Sequence, residues 1–327
     1  MDLEHGHKLD PKLEKFGCNV SVHSLYFRHA EKASGTLGTG SQVSASLLSP
    51  RGKIQSENLG IDLRKLSVPG LHGVKIRSSA QPRTRETADE MVAGHRGGEM
   101  PQYVPRVRWE ITADTQPKDF FALYVKKWEA IKTAEMKKRG IDPKDFSKLS
   151  SKEQAEIAEP AEEPIAAEWL ENTESEMAQL FPLETAAAQI AVLVRRDVET
   201  ANKLKNGSSI DLFSNTHRTM TEPLLMKIMI LSDGSKPQKL SDIGGLLGLN
   251  DGFELRTNTD QHGRPSTKLF MYRVKNRESD QPEYEQTEYG IDLDELKRLA
   301  DMGVELSRER RKKEIREKPD VWKLKEN

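Results

Sequence analysis

The chain has 327 residues, with 51 Lys plus Arg against 52 Asp plus Glu, a formal charge of −1, and 31% charged side chains. That near-balance gives no support to a nucleic-acid protein held by a bulk basic field, and the single cysteine, Cys18, excludes an intramolecular disulfide framework. No apolar run approaches the ~18 residues of a membrane helix, and the N-terminal MDLEHGHKLDPKLEKFG is charged where a secretory signal is apolar. The expectation is a soluble, cytoplasmic protein with neither nucleic acid nor membrane as partner; its oligomeric state is open.

After an extension over 1–18, NVSVHSLYF at 19–27 mixes β-branched and aromatic residues and predicts a strand. It runs into Arg28-His29-Ala30-Glu31-Lys32 and a Gly/Ser/Thr-rich stretch, 34–46. Ser49 then suits a helix cap and Pro50 the first helical position, with the helix running to Leu66. Val74 to Ser78 predicts a second strand, broken by Ser79-Ala80-Gln81-Pro82-Arg83, and Thr84 to Ala93 a helix. A short extended piece, YVPRVRWEI, covers 103–111.

Composition changes over 118–182, which is expected to be a charged helical insert and a candidate lid. Residues 126–152 carry nine Lys/Arg and four Asp/Glu, while 153–176 carry nine Glu and no basic residue. Such blocks predict solvated helix faces, and their opposite signs can pair across a helical hairpin. The core pattern resumes with a helix over 183–203 and a strand at 210–213 that ends in Ser214-Asn215-Thr216-His217. A helix with the stripe Leu224, Leu225, Ile228 and Leu231 follows, and STKLFMYRVK at 266–275 predicts the final strand. The last stretch, 279–327, is expected to be a charged helical tail, its helix over 292–318 closed by Pro319. Residues 19–117 and 183–278 would then be the two parts of one core.

Alternating strands and helices predict an α/β domain with a mostly parallel sheet, whose site lies beyond the carboxyl ends of the strands. Arg28-His29 and Thr216-His217 each follow a strand, and Arg83 enters the helix after a third. Two guanidiniums make a bidentate trap for a tetrahedral dianion, and their charge disfavours protonated imidazole. A neutral His beside a phosphoryl group is a nucleophile. A second His can stabilise the equatorial oxygens, and a carboxylic acid can protonate the leaving oxygen. No metal or other cofactor is needed, since Arg and His supply the positive charge.

Arg28-His29-Ala30-Glu31 after a strand resembles the R-H-G-E signature of the histidine phosphatase superfamily, the phosphoglycerate mutase-like fold. Leu48-Ser49, Gly52 and Gln55 resemble its L-T/S-x-x-G-x-x-Q element, and IRSSAQPRTRETA, Ile76 to Ala88, its strand–S-S–x-x-x–R–x-x-x–T-A element. Trp109-Glu110-Ile111 stands where one branch has L-R-E-I, and Ser214-Asn215-Thr216-His217 resembles the late strand with the second His. The resemblance covers roughly 19–112 and 183–275. It implies a three-layer α/β/α sandwich, a phosphohistidine on His29, phosphoryl binding by Arg28, Arg83 and His217, and Glu110 as proton donor.

Departures from the pattern bear on the activity. Lys32 and Gly35 stand where mutases carry Ser or Thr and Asn, and Arg218 stands where the acid-phosphatase branch has its acidic Asp. Glu110 is therefore preferred as the acid over its rivals Asp114, Asp119 and Glu222, the last of which can instead cap a helix. Glu31 would orient Arg or His, and Lys32 and Arg218 would extend a positive rim. The function expected is a metal-independent phosphatase acting on a phosphorylated small molecule or phosphoprotein. The alternatives are phosphoglycerate mutase-type transfer and an inactive phosphate-binding or protein-interaction module.

Overall fold

The computed structural model describes residues 16–33, 47–65, 71–79, 81–97, 106–108, 116–217, 219–277, 279 and 282–317. Its elements in chain order are β1 (Ser21–Arg28), α1 (Pro50–Arg64), β2 (Leu71–Ser78), α2 (Pro82–His95), β3 (Arg106–Arg108), α3 (Lys118–Lys138), α4 (Ser151–Glu171), α5 (Glu176–Leu180), α6 (Leu183–Val198), β4 (Ser208–Thr216), α7 (Glu222–Ile228), β5 (Met229–Ile230), β6 (Gly252–Thr259), β7 (Pro265–Val274), β8 (Tyr284–Ile291) and α8 (Leu293–Glu317).

The strands form one sheet in the order β3-β2-β4-β1-β6-β7-β8-β5. From β3 to β1 the pairings are parallel, and from β1 outward they are antiparallel. The α/β class is the one expected, but the sheet is mixed rather than mostly parallel. Residues 252–291 cause the difference: they fold as consecutive hairpins, and the link over 260–264 is too short for a crossover. β7 is therefore not the final strand. β6 and β8 escaped the sequence pattern because β6 interleaves Glu254 and Arg256 with its apolar residues, and β8 is largely exposed and polar.

The 279–327 stretch is accordingly no simple tail. It contributes β8 to the sheet, and α8 buries Leu296, Leu299 and Ala300 in the core. Gly303 lets α8 close on α6, where an added Cβ would collide with the Ala188 carbonyl. The helix after β4 is also shorter than its apolar stripe suggests. It ends at Ile228, and Met229–Ile230 turn into an edge strand against β8.

Helices cover both faces, giving three layers. One face packs Leu25, Phe27, Val74, Ile76 and Phe213 against Leu59, Leu63, Met91 and Val92 of α1 and α2. The other packs Tyr26, Phe253, Leu255 and Leu269 against α6, α7 and α8, with α3–α5 outside them. β1 is buried along its whole length, as a central strand with both faces covered must be. Asp197 anchors α6 to the sheet, accepting a bidentate pair from Arg77 on β2 and the Tyr26 hydroxyl at 2.5 Å.

Local chemistry starts the helices that frame the site. Ser49 caps α1 by accepting the Gly52 N–H, with Pro50 at the first position. Gly52 is required there because a Cβ would strike the Glu31 carbonyl. Gln55, one turn on, donates to the Arg277 and Ser279 carbonyls at 3.0 Å. In the charged region, α3 and α4 are joined by Lys127–Glu168 at 2.9 Å and Arg139–Glu156 at 3.6 Å, so the two charge blocks partly neutralise each other. Among the described residues no helix is long and apolar enough to cross a membrane.

Candidate active site

Register decides where the chemistry gathers. β1 and β4 pair in parallel with Arg28 opposite Thr216, and β2 pairs with β4 with Ser78 opposite Asn215. Three strands therefore end level, and the residue after each lands on one rim: His29, Ser79 and His217. The pattern of the sheet continues just past the strands, since His29 N–H donates to the Thr216 carbonyl at 3.0 Å and Ser79 N–H to the Asn215 carbonyl at 3.3 Å.

The imidazoles of His29 and His217 meet edge to face, with centroids 5.3 Å apart and planes at 65°. Nδ1 of His29 lies 2.8 Å from the Ala30 carbonyl. A carbonyl only accepts, so Nδ1 carries the proton and Nε2 keeps its lone pair. Ala30 is fully buried, its N–H held by the Thr87 hydroxyl at 3.1 Å. Among the described non-glycine residues, positive φ occurs at Asn19, Thr219 and Asn250, so the alanine that replaces the signature glycine sits in ordinary backbone.

Arg28 donates through Nη1 to the Leu247 carbonyl at 3.1 Å. Arg83, at the start of α2, places Nη2 3.4 Å from His217 Nδ1, and its Nη1 donates to Gln81 Oε1 at 3.2 Å. Burial sets the electrostatics, and the neighbouring cations reinforce it. His29 is held well below the usual imidazole range by burial, then by His217, Arg28 and Arg83. His217 is pushed down to about 3 by burial and the same two guanidiniums, and burial with Arg28 lowers Arg83 to about 10. Both rings are therefore neutral near pH 7, and the cup is positive through Arg28 and Arg83.

The remaining residues expected at the site fall differently. Glu110, Asp114 and Arg218 lie outside the described residues. Lys32 bridges Leu48 beside the entrance to α1, and Glu31 faces Arg51 at 3.9 Å rather than an imidazole. Asp119 is exposed in the first turn of α3. Glu222 is fully buried and accepts the Leu247 N–H at 3.1 Å and the Thr221 N–H at 3.2 Å. It braces the loop whose Leu247 carbonyl holds Arg28. Sequence reasoning missed that bracing because backbone groups leave no residue-type signal. It also missed Ser79, Thr84 and Thr87, which lie inside the quoted Ile76 to Ala88 element without a stated task. Thr219, two residues past His217, has φ +64, an uncommon conformation for a β-branched residue and one that concentrates at functional sites.

The family model of the histidine phosphatase superfamily (branch 2) matches residues 8–224. Similar solved structures include the apo form of Hafnia alvei phytase, 10% identical, covering 88% of this chain and 97% of that chain with a TM-score of 0.49. The phytase of Klebsiella sp ASR1 is 12% identical over 87% of this chain and 95% of that chain, TM-score 0.46. A phosphoglycerate mutase from Bacillus anthracis str. Sterne is 16% identical over 76% of this chain and 92% of that chain, TM-score 0.35. No curated protein matches the chain. The matched span contains both imidazoles and both guanidiniums of the rim, and the chain belongs to the histidine phosphatase superfamily.

Proposed function

We propose that the protein is a phosphatase that hydrolyses a phosphomonoester through a phosphohistidine on His29, without a metal ion. The observation that carries this reading is the meeting of two neutral imidazoles with two guanidiniums at the level ends of β1, β2 and β4. The superfamily acts on phosphorylated substrates through a histidine, and the convergence of His29, His217 and Arg83 on one rim supports that chemistry here.

In this reading the phosphoryl group seats against Arg28 and Arg83, whose fixed charge neutralises its oxygens. The Nε2 lone pair of His29 forms an N–P bond as the ester P–O bond breaks, and the leaving oxygen takes a proton from Glu110. Water then attacks phosphorus and gives its proton to the Glu110 carboxylate, the N–P bond breaks, and orthophosphate leaves. His217 and the two arginines hold the equatorial oxygens throughout. The substrate in this reading is a phosphorylated small molecule or a phosphoprotein, with Lys32 and Arg218 proposed as its further cationic contacts. The test is turnover of p-nitrophenyl phosphate and a panel of phosphorylated metabolites and phosphopeptides, with and without chelator. Turnover insensitive to chelator and lost in His29→Ala supports the reading. Unchanged turnover in His29→Ala overturns the nucleophile, and a strict need for a divalent ion overturns the metal-independent step.

A further inference from the structure

The segment between β2 and α2 does more than deliver Arg83. Ser79 is 1% exposed, and its Oγ lies 2.9 Å from His217 Nε2 and 2.8 Å from Thr84 Oγ1. Thr84 Oγ1 in turn donates to the Gln81 carbonyl at 2.7 Å or the Ser79 carbonyl at 3.2 Å. The Gln81 N–H also points at Ser79 Oγ, at 3.4 Å. On the far side of the ring, His217 Nδ1 faces Arg83 Nη2 at 3.4 Å.

The proton count in this chain has one solution for a neutral ring. A guanidinium has donors and no acceptor, so His217 Nδ1 must present its lone pair to Arg83. The ring proton then sits on Nε2 and is donated to Ser79 Oγ. Ser79 passes its own proton to Thr84 Oγ1, and Thr84 passes its proton to a carbonyl. The reverse direction would protonate Nδ1 and set an N–H against the Arg83 N–H.

We propose that Ser79 is a positioning residue that locks His217 as the Nε2–H tautomer, with the Nδ1 lone pair turned toward the phosphoryl site. The inference rests on the reading of His217 as a phosphoryl-binding group. It adds a hydrogen-bond acceptor for the substrate to that reading. A phosphomonoester monoanion carries one P–O–H proton near its second pKa, about 6. That O–H donates a hydrogen bond to the Nδ1 lone pair, and the ring stays neutral with its Nε2–H on Ser79. Only the Nε2–H tautomer can accept that bond at Nδ1.

The test is ¹⁵N NMR of the full chain with labelled histidine, read at His217 without ligand and during titration with orthophosphate, for the wild type, Ser79→Ala and Thr84→Val. The expected wild-type signature is a protonated Nε2 and a bare Nδ1, with the Nδ1 signal shifting as it accepts a hydrogen bond from bound orthophosphate while the ring stays neutral. Ser79→Ala should leave the Nε2–H without its acceptor, shift the ring signals as the imidazole loses its anchor, and lower kcat about 10–100-fold, by analogy with loss of the partner that orients a metal-ligating histidine. KM should change far less. Thr84→Val, which removes the acceptor for the Ser79 proton, should move the same signals less far. An Nδ1–H tautomer in the wild type, or ring signals unmoved by both variants, overturns the inference. His29→Ala separates the two failures: an active His29→Ala overturns the phosphohistidine reading, whereas an inactive one with ring signals indifferent to Ser79 overturns the tautomer lock alone.

Discussion

Acidifying the protein should destabilise it through His217, by an amount the site geometry fixes. The folded ring titrates at about 3 against an ordinary value of 6.5. Below pH 6.5 the unfolded chain binds a proton there that the folded chain refuses, so stability falls as pH drops from 6.5 toward 3 and levels off beneath that. Linkage between these two values costs about 2 kcal/mol from pH 7 to pH 5. His29, also held low by burial, adds a term of the same sign. Urea unfolding of wild type and His217→Gln at pH 7, 6 and 5 isolates the His217 contribution, since carboxylates elsewhere titrate equally in both proteins. Wild type should lose about 2 kcal/mol more than the variant over that range. Parallel loss in the two proteins would refute the reasoning, because it would mean that the ring takes up protons in the folded site as readily as in water.

Other perturbations test the surrounding structure. Arg83→Met should leave thermal stability in phosphate-free buffer unchanged or raised, because Arg83 is disfavoured by its own burial and by Arg28. The same variant should lose the stabilisation that orthophosphate gives wild type, about 2.7 kcal/mol at a hundred times Kd, as read by calorimetry with and without phosphate. Gly94→Ala forces a methyl into the Glu57 carbonyl where α2 crosses α1. Chemical denaturation should show a loss of about 1–3 kcal/mol, the usual cost of overpacking. Asp197→Ala strands Arg77 in the core, and the same assay should show a loss of about 3–5 kcal/mol.

The parts of this molecule that were legible from the sequence are those whose cause is local or lies in the strand-end rule. Ser49 and Pro50 announce α1 by capping chemistry, and the structure starts the helix at Pro50. His29 and His217 were placed on one rim because each follows a strand, and the level ends of β1 and β4 bring their rings within 5.3 Å. The illegible parts depend on tertiary partners. β8 reads as polar because little of its surface is covered and β5 pairs with only its last two residues, and β6 reads as broken because Glu254 finds its partners, His23 at 3.1 Å and Arg256 at 2.9 Å, at other positions on the same face. The Leu247 carbonyl that holds Arg28, and Glu222 behind it, join segments far apart in sequence through backbone groups. Ser79 was visible as a residue, but its contact with His217 exists only because β2 and β4 are neighbours in register.

Rapid mixing with excess phosphomonoester, quenching in base and mass spectrometry of the digest reads the nucleophile directly. The neutral ring with Nδ1–H on the Ala30 carbonyl leads to a phosphoryl group on Nε2 of His29, stable in base, lost in acid, and formed no more slowly than turnover. A chain that turns over substrate with His29 unmodified at every time point, or that carries the phosphoryl group on another residue, would contradict the account.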